Sequence, residues 1–294
     1  MKVHLVDGTY ELFRQHFGSA NRRGESGREP GRFDATTGVL TSTLQLIEDG
    51  ATHVGVASDH VIESFRNDLW DGYKTSEGML PELLEQIPVM EDALATMGVT
   101  VWPMVEWEAD DALGAAAHVA DADERVEQVL IVTPDKDLGQ CVSGRRVVQY
   151  DRRKREIIDE DAVREKFGVG PDSIPDYLGL VGDTADGFPG LPGWGAKSAS
   201  LVLARYGHLE DIPPEASLWD VEGLRGAAKL SATLNDQMEL AVLFRIVATV
   251  DRDVPVGTVD DWHWGGPTDE FPAMCERLGV PALATRAADL AAHR

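Results

Sequence analysis

Three short stretches in the first half of the chain concentrate apolar residues, and each runs out onto a carboxylate. Lys2–Val6 (KVHLV) leads into Asp7-Gly8, His53–Ala57 (HVGVA) into Ser58-Asp59, and Val129–Val132 (VLIV) into Thr133-Pro134-Asp135. Short apolar runs bounded by turn residues read as buried strands. Between them, apolar positions recur at helical spacing over Gly38–Glu48, Leu83–Met97 and Ala109–Val119. Strands alternating with helices predict an α/β fold, with a mostly parallel central sheet flanked by helices. Sites in such folds form beyond the carboxyl ends of the strands, and that is where Asp7, Asp59 and Asp135 fall.

The pattern changes further along. Arg145–Arg155 (RRVVQYDRRKR) carries six basic residues and reads as a hairpin with arms Val147–Tyr150 and Glu156–Ile158, its charges on a solvated turn. From Asp161 the spacing is helical, with Gly168 as a stop. Gly182–Gly195 is rich in Gly and Pro, and helices resume over Lys197–Tyr206 and Gln237–Ala248. This shift places a boundary near residue 160, between an α/β half and a helical half. Asn21–Gly31 is polar and Gly/Arg-rich and reads as a mobile loop. Internal repeats and the Rossmann or P-loop glycine fingerprints are absent from the sequence.

Composition narrows the class. With 294 residues the chain is long enough for one large or two small domains, and 43 % hydrophobic residues is a globular content. No window approaches the roughly 20 apolar residues of a membrane span, and Met1–Val6 lacks signal-peptide architecture, so a cytoplasmic protein is expected. Cys141 and Cys275 lie far apart without metal-ligand spacing, which argues against a disulfide framework or a structural zinc site. A formal charge of −24 makes general polyanion coating improbable, because nonspecific nucleic-acid affinity comes largely from neutralising phosphates. It leaves room for a local basic track, or for cations bridging acids to phosphate.

The acids are grouped. Glu108-Ala109-Asp110-Asp111 opens the third helical stretch, where Glu108 and Asp111 share a face; acids there also serve as dipole and capping partners. In Asp135-Lys136-Asp137 an extended backbone would put both aspartates on one side. Asp183 and Asp186 are again three apart, in the Gly/Pro-rich loop. Together with Asp7 and Asp59 these make nine carboxylates whose convergence would demand cations, because ionised neighbours raise one another's pKa. Oxygen ligands favour Mg²⁺ or Mn²⁺ over zinc. Two such ions roughly 3.5–4 Å apart could activate water and stabilise a leaving oxygen in phosphodiester hydrolysis. No Ser/His/Asp or Cys/His spacing supports covalent catalysis.

Five motifs in order resemble the 5′-nuclease superfamily, in its bacterial and phage 5′→3′ exonuclease/flap endonuclease branch, which also forms the N-terminal domain of DNA polymerase I. They are VDGTYELFR (Val6–Arg14), SFRNDLWDGYK (Ser64–Lys74), EADD (Glu108–Asp111), TPDKDL (Thr133–Leu138) and GDTADGFPGLPGWGAKSA (Gly182–Ala199). The likeness runs over about residues 1–255, and the chain ends near where that domain would end, so a stand-alone form without a polymerase is expected.

The resemblance implies three regions: a nuclease core over 1–160 with an arch at about 66–90, a helix–three-turn–helix DNA-binding region over 161–255, and a C-terminal extension over 256–294. It also implies that the nine acids bind metal. One ion falls mainly to Asp7, Asp59, Glu108, Asp110 and Asp111, the other to Asp135, Asp137, Asp183 and Asp186. Lys74, Arg14 and Arg66 match basic positions at the scissile phosphates. Gly190, Gly193, Gly195, Lys197 and Ser198 match the hairpin that grips duplex DNA, where the family binds a monovalent cation such as K⁺.

The expected activity is structure-specific, Mg²⁺- or Mn²⁺-dependent 5′ nuclease hydrolysis near single-strand/duplex junctions. The expected partner is DNA with a 5′ flap or 5′ single-strand end, and the expected state is a monomer off the membrane. The alternatives are a non-catalytic structure-specific DNA-binding protein of the same fold and a metal-dependent ribonuclease. Two positions depart from the family pattern. Glu77 stands where an arginine follows the arch lysine by three residues, and Gly187 stands where an asparagine follows the last metal aspartate.

Overall fold

The computed structural model describes residues 1–26 and 31–293. In chain order it begins with β1 (Lys2–Asp7), α1 (Gly8–Ser26), α2 (Asp34–Glu48), β2 (His53–Asp59) and α3 (Arg66–Leu69). There follow α4 (Pro81–Leu84), α5 (Gln86–Thr96), β3 (Thr100–Met104), α6 (Ala109–Ala122), β4 (Gln128–Val132), β5 (Val147–Asp151) and β6 (Glu156–Ile158). Helices complete the chain: α7 (Glu160–Phe167), α8 (Ile174–Val181), α9 (Ala196–Tyr206), α10 (Ala227–Asp236), α11 (Met238–Ala248), α12 (Phe271–Leu278) and α13 (Pro281–Ala292). These elements form two compact units. The first comprises Met1–Ile62, Ser76–Thr133 and Asp251–Arg294; the second comprises Glu63–Thr75 and Pro134–Val250.

In the first unit four strands run parallel in the order β3-β2-β1-β4. The chain winds outward from β1 through β2 to β3, then returns to the other side of β1 for β4. That reversal makes the carboxyl ends of β1 and β4 a topological switch point, where open α/β sheets place their ligands. His53 to Ser58 of β2 are all buried, as in a strand covered on both faces. Gly55 is required there, because a Cβ would lie 2.1 Å from the Trp102 ring on β3. The apolar pattern did not mark β3, whose run is interrupted by Pro103; proline is tolerated at such an edge strand.

The helix α1 overturns part of the expectation for Asn21–Gly31, because the chain is helical through Ser26; residues 27–30 lie outside the described residues. The segment after Asp251 packs within this first unit. Trp102 and Trp262 both donate their indole N–H to Val256 O, at 3.1 and 2.8 Å, and Trp264 N donates to Thr52 O at 2.9 Å.

In the second unit β5 and β6 form the expected antiparallel hairpin, paired from Gln149–Ile158 to Asp151–Glu156. Arg153, Lys154 and Arg155 are exposed on its turn. Asp159 caps α7 by accepting from Ala162 N at 3.1 Å, and Gly168 ends it in the left-handed region at φ 72°. The core of this unit gathers Leu178, Leu180, Phe188, Val202, Leu203 and Phe244. Each large side chain buried there contributes about 1.5–3 kcal/mol of transfer free energy. Trp70 packs edge-on against Phe244 with ring centroids 4.9 Å apart, which ties the Glu63–Thr75 segment to the helices. Residues 70–80 contain no helix, so a helical arch is not formed across them. No helix among the described residues is long and apolar enough to cross a membrane.

Candidate metal centre

The acids of the first unit sit where strands end and helices begin. Asp7 closes β1 and caps α1. Its Oδ1 accepts from Tyr10 N at 2.8 Å, and its Oδ2 accepts from Thr133 Oγ1, just past β4, at 3.1 Å. Asp59 closes β2, and its Oδ1 accepts from Ala109 N at the start of α6 at 2.9 Å. Glu108 caps α6 and forms a reciprocal capping box with Asp111; Glu108 N donates to Asp111 Oδ2 at 2.9 Å. Asp111, fully buried, also accepts from Asp251 N through Oδ1 at 2.8 Å. Asp110 is half-buried beside it. Strand ends and one helix N-terminus thus hold Asp7, Asp59, Glu108 and Asp111 through backbone N–H groups, which complement their negative charge.

The second unit arranges its acids differently. Asp135 is exposed and its Oδ1 accepts from Asp137 N at 3.0 Å. Lys136 is in the right-handed helical region and leads into the 3₁₀ turn Asp137–Cys141, so the Asp135-Lys136-Asp137 segment is not extended as expected, though the Asp135 charge still acts on Asp137. Asp183 lies in a tight turn bridged to Phe188, with Asp183 N donating to Phe188 O at 2.8 Å and Phe188 N returning to Asp183 O at 3.0 Å. Gly182 and Gly190 make this turn possible. A Cβ on either would lie 2.3 Å from backbone of the 189–190 or 181–182 segment, and both residues adopt positive φ.

Carboxylate oxygens of Asp137, Asp183 and Asp186 all lie within 4.8 Å of one another. Asp137 Oδ1 is buried without a hydrogen-bond partner. Burial, followed by the charges of Asp135 and Asp186, pushes the Asp137 carboxyl well above the usual carboxylate range. An all-oxygen trio with an orphaned buried lone pair fits a hard divalent cation such as Mg²⁺ or Mn²⁺.

The three basic candidates occupy distinct settings. Lys74 Nζ is 3.1 Å from Asp186 Oδ1, and its backbone N–H donates to Asp186 O at 3.0 Å. Arg14, on α1 in the first unit, pairs with the buried Glu11 through Nε at 3.0 Å and Nη2 at 2.6 Å. Arg66 is 3 % exposed, and its guanidinium donates to Val247 O at 2.7 Å and Thr249 O at 2.9 Å, capping the C-terminal end of α11. Gly187 has a local cause: at φ 83° a Cβ would lie 2.0 Å from Gly72 O. Its own carbonyl accepts from the Trp70 indole at 3.1 Å. Glu77 is exposed in a turn closed by Met79 N to Ser76 O, so no helical register pairs it with Lys74.

The glycine-rich stretch leads into α9. Gly195 N donates to Ser198 Oγ at 3.0 Å, and Ser198 Oγ donates back to Gly195 O at 3.0 Å. Gly193, Gly195 and Lys197 are exposed, whereas Gly190 is buried in the turn against Gly182. A groove of about 640 Å³ opens beside this helix start, and Lys197 and Arg225 are among the residues that line it. Residues that the motif reading passed over also shape the second unit. Lys136 pairs with Asp183. Buried Gln140 donates to Asp137 O at 2.8 Å and to Ala248 O at 2.9 Å, and accepts from Val250 N at 2.9 Å. Lys136 was visible inside the Asp-Lys-Asp triplet; Gln140 carried no sequence signal, since a glutamine in an apolar run gives no hint of its partners.

This geometry belongs to a known fold class. The chain superimposes on the T5 D15 protein co-crystallised with metal ions with a TM-score of 0.66 and 18 % identity, covering 99 % of this chain and 98 % of that one. The catalytic core of Rad2 in complex with DNA substrate follows with a TM-score of 0.62 and 15 % identity, covering 98 % and 92 %. In sequence, DNA polymerase I of Bacillus caldotenax is 32 % identical over 290 residues, which is 96 % of this chain and 32 % of the polymerase. The 5′-3′ exonuclease of Buchnera aphidicola is 26 % identical over 255 residues, covering 86 % and 88 %. The chain therefore spans about a third of the polymerase's length. The 5′-3′ exonuclease N-terminal resolvase-like domain matches residues 2–168, and the 5′-3′ exonuclease C-terminal SAM fold matches residues 169–270. The chain belongs to the 5′-3′ exonuclease family.

Proposed function

We propose that the chain is a divalent-metal-dependent 5′ nuclease that hydrolyses DNA phosphodiesters near single-strand/duplex junctions, as at 5′ flaps. The observation that carries this reading is the Asp137, Asp183 and Asp186 trio, with its orphaned buried oxygen and Lys74 paired to Asp186. Asp135 completes this set, and Asp7, Asp59, Glu108, Asp110 and Asp111 supply a second. Mg²⁺ or Mn²⁺ held by the acids would supply a water of lowered pKa and neutralise charge at the scissile phosphate.

The chain's own groups do the rest. Lys74, anchored by its backbone to Asp186, offers its ammonium to the phosphate next to the trio. Arg14 adds charge from α1, and Arg66 fixes the segment that carries Lys74 by capping α11. Gly193, Gly195, Lys197 and Ser198 at the start of α9 grip duplex phosphates, and Gly190 shapes the turn before them. Carbonyls of this stretch hold a monovalent cation such as K⁺. The working regions are the core over 1–160, the duplex-binding region over 161–255 and the extension over 256–294, and the protein acts as a cytoplasmic monomer.

A 5′-flap duplex labelled at either end tests the reading. Mg²⁺ or Mn²⁺ should yield fragments with 5′-phosphate and 3′-hydroxyl ends cut near the junction. Binding without cleavage in either metal would favour the non-catalytic reading, and preferential cleavage of RNA would favour the ribonuclease.

A further inference from the structure

The aspartate trio is accompanied by two lysines, and they are held in different ways. Lys74 is fixed by its main chain, whose N–H donates to Asp186 O at 3.0 Å, so its ammonium is placed beside Asp186 by backbone geometry. Lys136 has its Nζ on Asp183 Oδ2, and its side chain is 34 % exposed. The backbone on either side of Lys136 is pinned, because Asp135 Oδ1 accepts from Asp137 N at 3.0 Å and Gln149 Nε2 donates to Asp135 O at 2.5 Å. The four-carbon stem of Lys136 is thus the adjustable part of the Asp-Lys-Asp triplet. The opposite end of the contact is rigid: Asp183 is buried, and its Oδ1 accepts from Ala185 N at 2.9 Å.

Carboxylates this close together repel one another, and a cation among them offsets that repulsion. Asp183 has a cation on it in the form of the Lys136 ammonium, while Asp137 Oδ1 has no partner. We propose that Lys136 is the trio's internal counter-ion: its ammonium holds Asp183 in the free protein and competes with a divalent cation for that carboxylate, so that Lys136 sets the affinity of the site. The inference rests on the metal reading of the trio. A cation held by Asp183 would displace the Lys136 ammonium, which, tethered to a pinned backbone, would remain within its stem's reach of the trio and of a phosphate brought there. A point charge on a flexible stem suits this exchange. An arginine would not, because its planar fork grips a carboxylate at two points.

The test is Mn²⁺ binding by calorimetry on the full chain at low salt, in wild type, Asp137→Asn, Lys136→Met and Lys136→Arg. The wild type should bind Mn²⁺, and Asp137→Asn should remove the heat that belongs to the trio. Lys136→Met should bind about tenfold tighter, the order expected for removing one close competing charge at a partly screened site. Lys136→Arg should bind several-fold weaker. Metal-free Lys136→Met should melt below the wild type and gain more from Mn²⁺. Mn²⁺ binding unchanged by Asp137→Asn would overturn the metal reading, and the inference with it. A trio confirmed by Asp137→Asn but indifferent to both Lys136 variants would overturn the counter-ion role alone. If Lys136→Met does not fold, Lys136→Arg binding as tightly as the wild type, or tighter, overturns it too.

Discussion

The acids of the two units are compensated by different means. In the first unit Asp7, Asp59, Glu108 and Asp111 answer to backbone N–H groups at strand ends and helix starts, so the fold itself stabilises their charge. In the second unit backbone N–H groups reach Asp135 and Asp183 as well, but Asp183 and Asp186 each also carry a lysine ammonium, and Asp137 keeps a buried oxygen with no partner. Backbone compensation is permanent. Side-chain compensation can be exchanged for an ion. Substitutions in the first set are therefore expected to cost stability, and those in the second to cost less of it.

Substitutions in the two sets should separate these roles. Asp183→Asn should lower the single-turnover cleavage rate on the order of 10²–10³-fold, as removal of one preorganised electrostatic partner does. Its melting temperature should stay near the wild type's, because the Oδ1 bond to Ala185 N can survive in asparagine. A variant that cleaves at the wild-type rate in saturating Mn²⁺ would break the comparison on its functional side.

The next effect is structural. Arg66→Met would leave the carbonyls of Val247 and Thr249 without their buried charged donor, and should destabilise the protein by about 3 kcal/mol in a denaturant titration. A change below about 1 kcal/mol would mean that water replaces the guanidinium at the end of α11.

Asp111→Asn sharpens the contrast from the other side. It puts an amide with a donor end where a fully buried side chain accepts from two backbone N–H groups, and should lose about 1–3 kcal/mol of stability. If Asp111→Asn unfolds at the same denaturant concentration as the wild type, the first set is not structurally committed.

The smallest expected effect concerns a carboxylate outside both sets. Buried Asp176 accepts from His208 Nδ1 at 2.9 Å and from Arg245 Nη1 at 3.0 Å. The bond to Asp176 raises the His208 pKa, against the opposing effect of burial. A folded value above the unfolded one means that the folded state holds the proton more tightly. The contribution is therefore complete below the ordinary imidazole pKa of about 6.5 and is lost as pH rises through the raised folded value. His208→Gln should lower the melting temperature by a few degrees at about pH 5.5 and by less at about pH 8.5. An equal shift at both pH values would mean that the His208 charge contributes nothing to the bond with Asp176.

Much of this was written in the sequence, for reasons that differ by element. The strands β1, β2 and β4 were legible because each is a short apolar run with a carboxylate at its end, and Gly168 announced the stop of α7. The edge strand β3 was not, because Pro103 breaks its run and Gly55, which makes room for Trp102, is informative only once the two strands are side by side. The polar composition of Asn21–Gly31 suggested a loop where α1 continues to Ser26, an extension that composition alone does not register. The three acids that the structure groups, Asp137, Asp183 and Asp186, stood in compact motifs of the sequence. Distant partners were not legible: the bond from Asp111 to Asp251 N spans 140 residues, and the Arg66 cap of α11 spans more than 180. Spacing rules reach a few residues along one element, and these compensations are tertiary.

Whether the acids hold divalent ions for phosphodiester hydrolysis is decided most directly by a metal add-back experiment. Protein stripped of metal by a chelator is mixed in excess with a labelled 5′-flap duplex, and cleavage is followed as Mn²⁺ is added back. Divalent ions held by the acids should give no cleavage in the chelator, saturable recovery with Mn²⁺, and products ending near the single-strand/duplex junction. Undiminished cleavage in the chelator would contradict that role for the acids.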